Sequence, residues 1–104
     1  MNKKPYVFHI FHDKTIARAK MSCNTIIGEY SFLYLNAKIN STWQTRQKVV
    51  VEIEGSTKSR IEIRILGHAI FFKIESEDEN YQNNLVSFFQ ERVTTQFKPG
   101  FEVF

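Results

Sequence analysis

Residues 59–76 read SRIEIRILGHAIFFKIES, and their alternation decides the fold class. Ile61, Ile63 and Ile65 alternate with Arg60, Glu62 and Arg64, the period of two that belongs to a strand. Beyond Gly67 and His68 the apolar parity switches to Ile70, Phe72 and Ile74. A two-residue turn produces that switch, and glycine at its first position suits a type II′ hairpin. Pairing Leu66 with Ala69 sets Ile65 against Ile70, Ile63 against Phe72 and Ile61 against Ile74. The other face then opposes Glu62 to Lys73 and Arg60 to Glu75, two pairs of opposite charge worth about 0.2–1 kcal/mol each. His68 falls at the tip, where a polar residue is expected.

Upstream, QKVVVEIEGSTKSR (residues 47–60) reads as another strand, with Val49, Val51 and Ile53 on the core face and a turn around Gly55-Ser56-Thr57. A three-residue loop would oppose Glu54 to Lys58 and Glu52 to Arg60; a five-residue loop also keeps the faces consistent. GEYSFLYLNAKIN (residues 28–40) reads as a third strand, with Leu33, Leu35, Ala37 and Ile39 on one face and Tyr30, Phe32 and Tyr34 on the other. In TIARAKMSCN (residues 15–24), Ala17, Ala19, Met21 and Cys23 alternate with polar residues, which favours a strand, although the alanines equally suit a short helix. As a strand it would pair with residues 6–11 through a turn at His12-Asp13-Lys14-Thr15.

The C-terminal part reads as a helix. Ser76 and Glu79 have the spacing of a capping box. Tyr81, Leu85, Phe88, Phe89 and Arg92 then fall on one broad face, and Lys98-Pro99-Gly100 supplies a stop. The expected architecture is α+β, an antiparallel β-meander of five to six strands curled around one C-terminal α-helix, with Phe101–Phe104 as a tail.

Composition bounds the rest. The 104 residues carry 14% aromatics, ten of them Phe, enough apolar bulk for one domain spanning residues 1–104 without a disulfide. Cys23 is the only cysteine, which excludes an internal disulfide or a cysteine-based zinc cluster and suits a reducing compartment. No apolar run approaches the ~20 residues of a membrane span. The apolar run after Lys3-Lys4 is interrupted by His9 and by His12-Asp13-Lys14, unlike a signal peptide. A cytoplasmic protein is expected. The abundance of Lys, Ile, Asn and Phe suits an AT-rich bacterial or phage genome. The net charge of +3 permits a nucleic-acid or acidic partner without requiring one.

Three candidate chemistries follow. His9 and His12, three residues apart beside Asp13, fall on opposite faces of a strand and do not chelate one metal together, so neither metal nor cofactor is expected. His12, His68 and Lys14 could serve as base, acid and phosphate-stabilising cation in a small ribonuclease, but all three occupy expected turns that sequence alone does not bring together. An outer sheet face bearing Tyr30, Phe32, Tyr34, Arg64, Phe71 and Lys73 is the third. Aromatic and basic residues of this kind concentrate at protein interfaces, and they also stack unpaired bases. No nucleophile elbow, phosphate-binding loop, HExxH or paired-carboxylate motif is present. The expectation is a non-enzymatic protein-binding module, a stoichiometric inhibitor or immunity-type protein that neutralises a toxin or effector. A single-stranded nucleic-acid binder is the alternative.

Overall fold

The computed structural model describes residues 4–97; the helix-stop signal at residues 98–100 and the tail at 101–104 lie outside them. The elements run β1 (Tyr6–Phe11), α1 (Ile16–Leu33), β2 (Lys38–Thr45), β3 (Lys48–Glu54), β4 (Lys58–Leu66), β5 (Ala69–Ser76) and α2 (Glu79–Phe97). All strand pairings are antiparallel, in the spatial order β1-β5-β4-β3-β2. The α+β class, the antiparallel sheet and the C-terminal helix agree with the sequence reading.

The β4–β5 hairpin adopts the register that its charges and parity demand, from Leu66↔Ala69 through Ile63↔Phe72 to Arg60↔Glu75. Gly67 has φ +60° while His68 stays at negative φ, the combination of a type II′ turn, where a side chain at the first position would be strained. The β3–β4 connection resolves in favour of the three-residue loop: Glu54 faces Lys58 and Glu52 faces Arg60. The Gly55 N–H closes the loop on the Thr57 carbonyl at 3.2 Å.

The N-terminal third departs from expectation. Residues 16–24, read as part of a strand, and residues 28–33, the first part of the stretch 28–40 read as another, form one helix, α1, while residues 38–40 begin β2. Ala19, Ser22, Cys23, Ile26, Ile27 and Tyr30 are its buried residues, at helical spacing. Thr15 starts it, its hydroxyl accepting from the Arg18 N–H at 3.2 Å. The alternation that mimicked a strand was incidental: Ala17 and Met21 are exposed. Residues 6–11 consequently pair with β5 rather than with residues 15–24. At 18 residues, α1 is about 27 Å long, enough to carry the chain from the β1 edge of the sheet to the β2 edge, four strand spacings of about 4.8 Å away.

Both helices cover the same face. Phe8, Ile10, Val49, Val51, Ile53, Ile61, Ile63, Ile65, Ile70, Phe72 and Ile74 of the sheet form one buried cluster with Cys23, Ile26 and Tyr30 of α1 and Leu85, Phe89, Val93 and Phe97 of α2. Each such side chain contributes about 1.5–3 kcal/mol when fully buried. Phe72 stands at the centre, stacked on Phe8 at 4.7 Å and tilted against Phe89 at 6.4 Å. Ser76 belongs to β5 and bonds to Ser59 at 2.9 Å, so the expected capping box is not made. Asp78 caps α2 instead, its carboxylate accepting from the Tyr81 N–H at 3.1 Å. Gln82 is buried. Its amide donates to the Ile74 carbonyl at 2.9 Å and the Lys4 carbonyl at 3.0 Å, clasping α2 to the start and end of the sheet.

Candidate functional site

The six side chains expected to share one outer sheet face are divided: three share that face, two are exposed at the end of α1, and one is in the core. Arg64, Phe71 and Lys73 do lie together on the face of the sheet opposite the helices: Arg64 stands opposite Phe71, and Lys73 opposite Glu62. Tyr30, Phe32 and Tyr34 do not join them, because they ride on α1 and its C-terminal end. Successive helical residues turn by 100°, so positions two apart diverge rather than align. Tyr30 points inward. It is 3% exposed, stacks on Tyr34 at 4.4 Å and meets Phe88 edge-on at 5.2 Å. Its hydroxyl shares a 2.6 Å hydrogen bond with that of Tyr81. Burial and that bond hold the Tyr30 phenol well above the usual tyrosine pKa. It is a core residue.

Phe32 and Tyr34 alternate with Leu33 and Leu35, which the sequence reading placed on the other face of a strand. Phe32, Leu33, Tyr34 and Leu35 are 77%, 55%, 44% and 81% exposed. They form an apolar corner where α1 ends and the chain turns toward β2. Two clefts flank it. One, of about 360 Å³, is lined by Gly28, Glu29, Phe32, Leu33 and Arg92. The other, of about 390 Å³, runs between Leu33–Ala37, the Gly55-Ser56 turn and Tyr81. In the first cleft a Glu29 carboxylate oxygen and the Arg92 Nε are buried without a hydrogen-bond partner. Arg92 lies over the Phe88 ring at 5.0 Å. Buried polar atoms left unmet are uncommon.

The outer sheet face carries a different arrangement. A groove of about 280 Å³ is lined by Val7, Glu62, Arg64, Leu66, Phe71, Phe72 and Lys73. His9 stacks on Phe71 at 5.3 Å beside it. Around the groove runs a network of ion pairs, two across strands, Lys48–Glu62 at 3.8 Å and Arg60–Glu75 at 3.9 Å, and two along one strand, Arg60–Glu62 at 3.5 Å and Lys73–Glu75 at 4.0 Å. Val7 and Leu66, both exposed, are groove residues that the periodicity argument passed over.

The fold also brings His12 and His68 together, which the sequence could not do. Their rings lie 5.9 Å apart. His12 is 4% exposed and both of its ring nitrogens are engaged. The Lys14 backbone N–H sits 3.0 Å from Nδ1, and Nε2 sits 3.0 Å from the Gly67 carbonyl oxygen. An N–H can only donate and a carbonyl can only accept, so Nδ1 is unprotonated and Nε2 carries the hydrogen. Burial draws the His12 pKa below the usual histidine value; the Gly67 carbonyl opposes the shift and His68 adds to it. His68 in turn donates from Nδ1 to the His12 carbonyl at 3.1 Å, and the His12 N–H donates to the His68 carbonyl at 2.8 Å. The Lys14 ammonium lies over the Phe97 ring at 5.6 Å, the same ring that the His12 imidazole approaches at 5.9 Å. The arrangement is a fastener between the end of β1 and the β4–β5 turn. Among the described residues no three His, Cys, Asp or Glu side chains converge on a metal position, and no helix is long and apolar enough to cross a membrane.

No protein-family model matches the chain, and comparison with curated proteins finds no relative.

Proposed function

We propose that the protein is a small cytoplasmic protein-binding module, a stoichiometric inhibitor or immunity-type protein that neutralises a toxin or effector by seating its α1–β2 corner in a cleft of that partner. The observation that carries this reading is the run Phe32–Leu35, four consecutive large apolar side chains each at least 44% exposed. A solvent-facing run of that length opposes folding economy and solubility unless something covers it. The corner carries no charged side chain, and Glu29 and Arg92 line the cleft beside it. An apolar anchor ringed by polar groups is the anatomy of an interface hot spot. Nucleic acid would find no basic surface there: within the clefts flanking Phe32–Leu35, Arg92 is the one cation and Glu29 offsets it.

The test is affinity capture from the native lysate with the full chain and a Phe32→Ser/Leu35→Ser variant. The expected result is one protein at equal stoichiometry that survives nuclease and about 1 M added salt, where the Debye length falls to about 3 Å, and is absent with the variant. Capture that disappears on nuclease treatment, or that the variant retains, would overturn the reading. Because the substituted side chains are exposed, the variant's thermal midpoint should stay near the wild-type value, which separates lost binding from lost folding.

A further inference from the structure

The outer sheet face holds a second docking site, independent of the corner and on the opposite side of the sheet. We propose that the groove between β1, β5 and β4 takes an apolar side chain of an extended protein segment, and that a carboxylate next to that side chain pairs with Arg64.

Size sets the first limit. At about 280 Å³ the groove lies just under the ~300–1,000 Å³ of cofactor and drug-sized pockets. It suits one or two side chains. Its wall is apolar where Val7, Leu66 and Phe71 meet, and Phe71 is held in place by His9 stacked at 5.3 Å.

Charge sets the second limit. Four basic side chains stand on this part of the face: Lys48, Arg60, Arg64 and Lys73. Lys48, Arg60 and Lys73 each reach Glu62 or Glu75 within 4.0 Å. Arg64 reaches no carboxylate among the described residues, is exposed, and lies at the groove beside Phe71. Among the described residues the guanidinium is the one groove cation without a carboxylate within 4.0 Å, and its planar fork matches a carboxylate. A nucleic-acid strand is disfavoured by the same map. Its successive phosphates would pass Glu62 and Glu75, whose carboxylates already neutralise the neighbouring cations, and the face lacks the continuous basic stripe that a polyanion needs. A single carboxylate meets Arg64 without that repulsion.

The experiment is a titration of the isotopically labelled full chain with a short capped peptide holding two apolar residues around one Asp, followed by amide NMR. Its Asn isostere and a fifteen-nucleotide oligothymidine serve as comparison probes. The Asp peptide should shift the amides of Val7, Leu66 and Phe71 to saturation. Affinity should fall roughly three- to tenfold for the Asn isostere, and for the Asp peptide on Arg64→Gln, with partial recovery in Arg64→Lys. Equal binding of the Asp and Asn peptides, shifts confined to other residues, or stronger and steeply salt-dependent shifts from the oligonucleotide would each overturn the proposal. The Phe32→Ser/Leu35→Ser variant should bind the Asp peptide as the wild type does, so a failure at the groove and a failure at the corner are read separately.

Discussion

Replacing His12 with alanine removes a side chain that satisfies two backbone groups at once, the Lys14 N–H and the Gly67 carbonyl, each at 3.0 Å. His12 is 4% exposed, so water does not fully replace the ring. A buried polar group left unmet costs about 1–3 kcal/mol, and the two together, with some relaxation, come to about 2–4 kcal/mol. For a domain of this size about 4 °C of melting temperature is lost per kcal/mol, a fall of roughly 8–16 °C. The pH arm is the sharper one. The native fold holds His12 neutral with a lowered pKa, whereas the unfolded chain protonates at the ordinary value near 6.5. Between those two values the unfolded state binds more protons, so stability rises with pH there. The contribution is fully present above about pH 6.5 and is lost as pH falls through the folded-state pKa, when a proton on Nδ1 would meet the Lys14 N–H. Urea unfolding at half-unit steps from pH 5 to 8, followed by Trp43 fluorescence, measures both arms. Wild type and His68→Gln should lose stability on acidification through this window, while His12→Ala should lose that component of the slope. A His12→Ala protein with wild-type stability, or with an unchanged pH slope, would refute the fastener assignment.

Other consequences are as direct. Gly28 lies within α1 with open space where a Cβ would stand, so Gly28→Ala should raise stability by about 0.5–1 kcal/mol in a thermal melt; because Gly28 lines the cleft beside Phe32, the same change should weaken partner capture. Cys23 is fully buried and its thiol pKa is pushed up to about 12 by that burial; a chromogenic disulfide reagent should react with it only after denaturant is added. Tyr81→Phe deprives the buried Tyr30 hydroxyl of its 2.6 Å partner and should cost about 1–2 kcal/mol in urea. In an alkaline absorbance titration of the wild type, one of the four tyrosines should ionise only as the fold opens, since Tyr30 is held protonated by its surroundings.

How much of this was legible before the structure depends on redundancy. The β4–β5 hairpin was marked three times over: by side-chain parity, by two opposite-charge pairs and by a glycine at the one place that needs positive φ. The proximity of Arg64 to Phe71 and of Lys73 to Glu62 followed from that register alone. The α1 segment carried conflicting marks. Ala17, Ala19, Met21 and Cys23 alternate by chance, Gly28 interrupts the stretch, and Phe, Tyr and Ile favour strands intrinsically. The decisive set, from Ala19 through Cys23, Ile26 and Ile27 to Tyr30, appears only when residues 15–33 are taken as one window behind the Thr15 cap. Reading them as two strands set Leu33 and Leu35 on the face opposite Phe32 and Tyr34 and hid the apolar corner that the four form together. The His12–His68 contact joins positions 56 residues apart, and no local pattern encodes a meeting at that separation.

The place of β1 in the sheet has a consequence for the order of events during synthesis. Strands β2 to β5 join in sequence through short connections, and each hairpin can form as soon as its second strand emerges. β1 instead pairs with β5, so that Tyr6 lies beside Ile74 and Phe11 beside Ala69. At roughly 5–20 residues per second, the first strand leaves the ribosome several seconds before the strand that shelters it. Through that interval Phe8 and Ile10, fully enclosed in the finished molecule, stay in water on an unpaired segment with no charge between Tyr6 and Phe11. The nascent chain is therefore prone to association through β1 until β5 emerges to pair with it.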